Sequence, residues 1–157
     1  MLGFDLVPGG QVFRQMAAER GMSLAEFGVY AAAQPAVDIE LDRRLAERAR
    51  AGRAVIESRL AGWIARNEKL DGLLVWIDCD DDVRARRVAA REGKTLDQAL
   101  VENAEREKIE RDRYHALYGI DIADLSIYDL VLDSGRLSAA EIADRIVRAA
   151  HDRFAAD

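Results

Sequence analysis

The sequence predicts an α/β fold, in which helices alternate with the strands of a mainly parallel sheet. Four short apolar runs bounded by turn residues are typical of buried strands, and helical segments with capping residues lie between them. Such alternation favours helices packed on the two faces of one sheet. The length of 157 residues predicts a single domain, 1–157. The predicted strands span residues 4–7, 53–57, 73–78 and 129–133.

Capping residues and glycines set the bounds of the predicted helices. Three Ser or Thr residues are each followed three positions later by Glu or Gln, which is the spacing of a capping box at a helix start. Glycines close several segments, as they commonly do at the carboxyl ends of helices. The capping residues are Ser23, Thr95 and Ser138, and the closing glycines are Gly21, Gly52, Gly93 and Gly119. The predicted helices span residues 12–19, 24–34, 38–50, 81–92, 96–118 and 139–154.

Composition limits the function classes. The net charge of -6 argues against a general binder of nucleic acid or of membrane surfaces. Cys79 is the only cysteine, so neither an internal disulfide nor a cysteine-based zinc site is expected. No apolar run reaches the length of a membrane span, and the first residues lack a signal-peptide core. We therefore expect a soluble cytoplasmic protein.

Arginines recur directly after the predicted strands. Ligands of open α/β sheets bind beyond the carboxyl ends of the strands, and the planar guanidinium suits phosphate. This pattern predicts a phosphate-bearing ligand, although codon usage in an arginine-rich genome explains the abundance of arginine equally well. The segments are Pro8-Gly9-Gly10 with Arg14, Ser58-Arg59, the helix with Arg84, Arg86, Arg87 and Arg91, and Ser134-Gly135-Arg136.

One helix face carries two cations and a carboxylate. Arg106, Glu110 and Arg113 are spaced i, i+4, i+7 and so share a face. Such a face suits a ligand with anionic oxygens and an amine donor, and a pyrimidine nucleotide is one. The alternative is a solvated face laced with ion pairs.

The 157 residues contain no phosphate loop. That loop needs Gly, four residues, then Gly-Lys-Ser/Thr. The only Gly-Lys-Thr begins at Gly93, and the required first glycine is replaced by Val88. We interpret Gly93 as a helix end and Thr95 as the cap of the next helix.

Several other polar groups have plain structural interpretations. The acidic run 78–82 is expected to cap a helix rather than bind a metal, with Asp78 the best candidate ligand if it does. Asp38 and its neighbours Glu40 and Asp42 are expected on a solvated helix face, with the alternative that Asp38 approaches a ribose.

The histidines and tryptophans also have plain structural interpretations. His115 and His151 lack a nucleophile partner nearby, so they are not expected to form a catalytic pair. Trp63 and Trp76 are expected in the core.

Several segments together resemble the cytidylate kinase family, in the short form found in archaea and some bacteria. The resemblance covers residues 4 to about 150. It lies in Val7-Pro8-Gly9-Gly10-Gln11-Val12-Phe13-Arg14, in Glu57-Ser58-Arg59-Leu60-Ala61-Gly62-Trp63, and in residues 118–122 and 124–130. It implies a three-layer α/β/α sheet of the P-loop nucleoside-monophosphate-kinase type, without the family's first strand, P-loop and first helix. An acceptor-binding region is implied at about 8–52 and a lid at about 84–122.

The resemblance also implies roles for individual residues. The implied substrates are CMP or dCMP and ATP with Mg²⁺. The residues implied to bind the acceptor CMP are Arg14, Arg59, Arg106, Glu110 and Arg113, with Glu110 facing cytosine. Those implied to bind the donor ATP are Arg87, Arg91 and Arg136. The implied catalytic arginines are Arg91, Arg106 and Arg113. The chain departs from the family at Pro8 and Gly9, where a small hydroxyl residue is usual, and at Ser58, where glycine is usual.

Three hypotheses follow from the sequence. The first is a cytidylate kinase-like phosphotransferase that is impaired in these 157 residues because the P-loop is absent. The second is a non-catalytic nucleotide-binding or regulatory module. The third is a structural or nucleic-acid-associated α/β protein, which the acidic balance disfavours. In the first case we expect an interrupted sheet or exposed apolar surface, since the family's missing strand lies in mid-sheet.

Overall fold

The computed structural model describes residues 3–154 and divides the chain into two compact units, Met1–Leu74 and Val75–Asp157. Both units mix helices with parallel strands, so the predicted α/β class is confirmed. The first unit contains β1 (Asp5–Pro8), α1 (Gly9–Glu19), α2 (Leu24–Ala32), α3 (Pro35–Arg50), β2 (Ala54–Glu57) and α4 (Ala61–Asn67). The second contains β3 (Val75–Asp78), α5 (Asp81–Glu92), α6 (Leu96–Tyr118), a 3₁₀ turn (Leu125–Ile127), β4 (Leu130–Asp133) and α7 (Ala139–Phe154).

The four strands form two separate two-stranded parallel sheets. In one sheet β1 pairs with β2, and in the other β3 pairs with β4. Leu6 and Val55 are neighbours across the first sheet, and they remain 66% and 46% exposed. Exposed apolar surface, one of the two outcomes expected from the sequence, is therefore present in residues 3–154. That a missing strand separates the two sheets stays a prediction. The three-layer arrangement stays a prediction.

The core of the first unit lies among α1, α2 and α3. Met16, Phe27 and Leu45 are its largest fully buried side chains. Phe13 packs on Phe27 with 4.7 Å between ring centroids, and Val37 of α3 belongs to the same cluster. Burial of such side chains contributes about 1.5–3 kcal/mol each. This packing fixes the position of α1, which follows β1 without a break.

The second unit is built on close packing of α5 and α6. Ala85 and Ala99 are fully buried, and their small side chains allow the helices to approach closely. Arg84 of α5 donates to Glu107 of α6 at 3.0 Å and to Asp81 at 2.7 Å. The contact is thus both apolar and ionic.

Three helices, α1, α2 and α3, differ from their predicted bounds, and a fourth, α4, was not predicted. The helix α2 ends at Ala32 rather than at residue 34. The helix α1 begins at Gly9 rather than residue 12, and α3 begins at Pro35 rather than residue 38. Proline at the first helical position loses no hydrogen bond, and its fixed φ suits a helix start. The seven-residue α4 was not predicted, because it is short and lacks a capping side chain.

The helix ends at the α5–α6 connection match the prediction. Gly93 closes α5 with φ 66°, a left-handed conformation that other residues rarely adopt. The Thr95 hydroxyl accepts from the Gln98 N–H, and the Gln98 side chain accepts from the Thr95 N–H. The Gly-Lys-Thr sequence is therefore a helix end and a cap. Within residues 3–154, none of the helices has the length and apolar character that crossing a membrane requires.

Candidate functional site

The carboxyl ends of β1 and β2 lie side by side, with Pro8 in register with Glu57. The helix α1 begins at the next residue, Gly9, without a capping side chain and without an acidic residue in its first turn. The first N–H groups of a helix lack intrahelical acceptors and attract anions. This edge of the sheet therefore offers donors to an anionic ligand.

Close packing explains the glycine at the start of α1. A Cβ on Gly9 would lie 3.3 Å from the carbonyl oxygen of Glu57 and 3.3 Å from the Cβ of Ser58. The Arg14 guanidinium lies beside the same helix turn, because its Nη1 is 3.8 Å from the Cβ position of Gly10. Arg14 and Arg59 are both exposed, and Arg59 is the second residue after β2.

The prediction for Asp38 was wrong. This residue is only 9% exposed, whereas a solvated helix face was expected. Asp38 lies in the first turn of α3 next to the core residue Val37, where a carboxylate interacts favourably with the helix dipole. Glu40 and Asp42 are partly exposed.

An ion-pair network joins α1 to α3. Arg44 donates to both carboxylate oxygens of Glu19 at 2.9 and 2.7 Å, and through Nε to Glu40 at 2.7 Å. Hydrogen bonds from Arg43 and then Arg44 lower the pKa of Glu40 to about 2. A hydrogen bond from Arg44 also lowers the pKa of Glu19. The network therefore links the helix that carries Arg14 to the helix that carries Asp38.

The predicted triad on α6 lies along one groove. Arg106 Nε donates to Glu110 Oε1 at 3.0 Å, and Glu110 is only 8% exposed. The Arg113 guanidinium carbon lies 5.3 Å from the ring centroid of Tyr114. The groove has a volume of about 320 Å³ and is lined by Glu102, Glu105, Arg106, Ile109, Glu110 and Arg113. A buried carboxylate between the exposed Arg106 and the partly buried Arg113 offers both an acceptor and donors to one ligand.

At the edge formed by β3 and β4, a backbone hydrogen bond joins the ends of the two strands. Asp78 is in register with Asp133, and the Ser134 N–H donates to the Asp78 carbonyl at 2.8 Å. Among residues 3–154, no group of three or more His, Cys, Asp or Glu side chains could hold a metal ion.

The three candidate donor ligands occupy different surroundings. Arg87 donates to Ser134, which was not predicted, since the two are 47 positions apart in the chain. Arg91 forms an exposed ion pair with Glu92 at 2.7 Å. Arg136 has a side chain that is 88% exposed, with its Nε 3.1 Å from Asp133.

Comparison with known proteins identifies the family. Residues 1–136 match the model of the cytidylate kinase-like family. A cytidylate kinase of Pyrococcus abyssi (strain GE5 / Orsay) is 51% identical over 152 residues, which are 97% of this chain and 82% of the relative. A cytidylate kinase of Pyrobaculum aerophilum is 48% identical over 138 residues, which are 88% of this chain and 74% of the relative.

A solved structure shares the fold. The crystal structure of an uncharacterized protein from Eubacterium ventriosum ATCC 27560 superimposes with a TM-score of 0.64 at 20% identity, over 96% of this chain and 99% of that one. Likeness at that identity supports the fold alone, whereas the two kinases are identical to this chain at about half of the aligned positions. The chain therefore belongs to the cytidylate kinase-like family.

Proposed function

We propose that this protein is a cytidylate kinase-like phosphotransferase, which transfers the γ-phosphate of ATP to CMP or dCMP. One observation carries the proposal. The match to the P. abyssi cytidylate kinase covers 152 residues, which are 97% of this chain. Both sheet edges and the α6 groove are therefore within the matched sequence.

The β1–β2 edge supplies the ligands that we assign to the acceptor phosphate. Arg14 lies beside the uncapped first turn of α1, and Arg59 lies two residues after the end of β2. Two guanidinium groups and free helix N–H donors suit a dianionic phosphate. These contacts carry no information about the base, so they hold CMP and UMP equally well.

The α6 groove supplies the groups that we assign to base recognition and charge stabilisation. Glu110 is buried, and its carboxylate accepts hydrogen bonds. Cytosine has an exocyclic amine that donates to such a carboxylate, whereas uracil has an oxygen at that position. Arg106 and Arg113 line the same groove and are assigned to the monophosphate and to the charge that develops on transfer.

Phosphoryl transfer requires in-line positioning and charge neutralisation rather than covalent help from the protein. Arg87, Arg91 and Arg136 are assigned to the ATP side, and Arg91 is added to the catalytic arginines. Mg²⁺ bound to the ATP phosphates would supply further positive charge at the transferred group. Arginines then complement the metal in neutralising the transferred group.

A second candidate is a nucleotide-binding or regulatory module without catalysis. It is favoured by the absence of a Gly-x-x-x-x-Gly-Lys-Ser/Thr sequence from these 157 residues. That loop cradles the β- and γ-phosphates of the donor through backbone N–H groups. Monophosphate binding by the β1–β2 edge and α6 does not need it, whereas transfer does.

An activity assay separates the two candidates. ADP formation from ATP and Mg²⁺ is measured with CMP, dCMP and UMP, for these 157 residues and for a chain extended by a strand, phosphate loop and helix. We expect transfer to CMP by the extended chain and very little by the 157 residues. CMP binding without transfer by both chains would favour the module. Robust turnover by the 157 residues alone would contradict the need for the loop.

Base recognition by Glu110 is tested by calorimetric titration of CMP and UMP. We expect Glu110→Gln to reduce the CMP preference by about 1–3 kcal/mol, because an amide can donate to the uracil oxygen as well as accept from cytosine. Glu105→Gln is the matched control, since Glu105 lines the same groove and undergoes the same charge change. An unchanged CMP-to-UMP ratio in Glu110→Gln would show that another residue recognises the base.

A further inference from the structure

The turn after β4 uses all of its backbone N–H groups internally. Its first N–H, from Ser134, donates to the Asp78 carbonyl at 2.8 Å. The next, from Gly135, donates to Asp133 Oδ1 at 2.7 Å. The N–H groups of Arg136 and Leu137 both donate to the Asp133 carbonyl, at 3.3 and 3.0 Å, and that of Ser138 donates to Glu141 at 2.8 Å.

This turn therefore differs from a phosphate-binding loop, in which backbone N–H groups point at the ligand. Any attraction of an anionic ligand to the turn must come from side chains. Arg136 is the exposed cation on the turn, and its Nε is held 3.1 Å from Asp133 Oδ2. The position of Arg136 consequently depends on the conformation of the turn.

Arg87 of α5 holds this turn from the side. Its Nη1 donates to the Ser134 hydroxyl at 3.0 Å, and its Nη2 donates to the Ser134 carbonyl at 2.5 Å. Nη1 also lies 3.7 Å from the sulfur of Cys79, the residue that follows β3. Both terminal nitrogens of Arg87 thus contact the protein at this edge of the sheet.

We infer that Arg87 is a positioning residue, which fixes the turn 134–136 and so presents Arg136 to the donor nucleotide. This inference rests on the proposed function and refines it, because Arg87 then acts on ATP through the turn instead of touching it. The planar guanidinium matters here, since its two terminal nitrogens contact a hydroxyl and a carbonyl at once. A lysine keeps the charge but offers only one nitrogen.

Kinetics of the loop-extended chain test the inference. We expect Arg87→Ala and Arg87→Lys each to raise the KM for ATP by about tenfold, which corresponds to the loss of one hydrogen bond that involves a charged group. The KM for CMP should stay unchanged. In an Arg136→Ala background, Arg87→Ala should add little, because both changes remove the same contact. Arg86→Ala is the control, an exposed arginine on the same helix.

Amide NMR of the 157 residues gives a readout that is independent of catalysis. In Arg87→Lys, we expect shifted Ser134 and Gly135 amide signals and faster exchange of the Ser134 N–H, while Arg86→Ala leaves both unchanged. Any of three results would overturn the inference: wild-type KM values in Arg87→Lys, additive effects of Arg87→Ala and Arg136→Ala, or unchanged amide signals. If the extended chain transfers no phosphate, the proposed function fails, and the amide signals alone decide the role of Arg87.

Discussion

The carboxyl edges of the two sheets are built alike but leave different groups available. At the β1–β2 edge, α1 starts directly after the strand with no capping side chain, and Arg14 lies beside its first turn. At the β3–β4 edge, five successive N–H groups from residue 134 to residue 138 already have acceptors. We therefore expect backbone N–H groups to take part in anion binding at the β1–β2 edge, and only arginine side chains to do so at the β3–β4 edge.

The largest expected effect comes from the first edge. Arg59→Ala should weaken CMP and UMP binding alike by about 1.5–3 kcal/mol, the range for hydrogen bonds that involve charged groups. Calorimetric titration with both nucleotides measures this. Arg136→Ala, at the second edge, should leave the affinity for both monophosphates unchanged. Equal losses from the two substitutions would remove the distinction between the edges.

The close packing around Gly9 predicts that Gly9→Ala lowers the free energy of unfolding by about 1–3 kcal/mol, because a well-packed site cannot accept the added methyl group. Urea unfolding measures this free energy. Ser58→Gly in the same chain should recover part of the loss, since the Ser58 Cβ lies 3.3 Å from the new methyl. Gly10→Ala is the control, because its nearest neighbour is Arg14 Nη1 at 3.8 Å. Strictly additive effects of the two changes would show that Ser58 is not the obstacle.

The second edge predicts a smaller effect for Asp133→Ala. This change removes the acceptor of the Gly135 N–H and the ionic partner of Arg136, at a cost of about 1 kcal/mol in the free energy of unfolding. Asp133→Asn keeps a side-chain oxygen for Gly135 and should cost less. Equal costs for both variants would mean that charge, rather than the hydrogen bond to Gly135, stabilises the turn.

The smallest expected effect concerns the network that joins α1 to α3. Glu40 has a pKa lowered to about 2, and the pKa of Glu19 is also lowered. A lowered folded-state pKa contributes stability above the unfolded value, which is lost as the pH falls through the folded value. Arg44→Met should therefore lower the thermal midpoint near neutral pH and flatten its decline between about pH 5 and pH 2. Arg48→Met, on the same helix, is the control and should keep the wild-type slope.

Local signals in the sequence were enough to predict most elements of the fold. The Ser-x-x-Glu and Thr-x-x-Gln boxes and the glycines after α5 and α6 determine helix ends through contacts a few residues apart. The starts of α1 and α3 were misplaced, because Gly9 and Pro35 are breakers within helices but acceptable at their first position. The burial of Asp38 depends on packing of α3, which no local pattern encodes.

Local sequence signals also predicted only part of the candidate site. The spacing of Arg106, Glu110 and Arg113 predicted one shared helix face, and all three residues line one groove. The partner of Arg87 lies 47 positions away on another element, and nothing in the helix that carries Arg87 indicates Ser134. Gly9 and Ser58 both depart from the family, and the Ser58 Cβ, 3.3 Å from the Cβ position of Gly9, gives the glycine at residue 9 a physical reason. The roles of these residues in binding stay predictions.

The exposed pair Leu6 and Val55 has a consequence for the thermodynamics of unfolding. Apolar surface that already contacts water in the native state adds nothing to the heat-capacity change, which arises from surface newly exposed on unfolding. The same surface adds nothing to the denaturant dependence of the unfolding free energy. The stability curve of the chain is therefore flatter with temperature than it would be with this sheet face covered, and covering that face would steepen it.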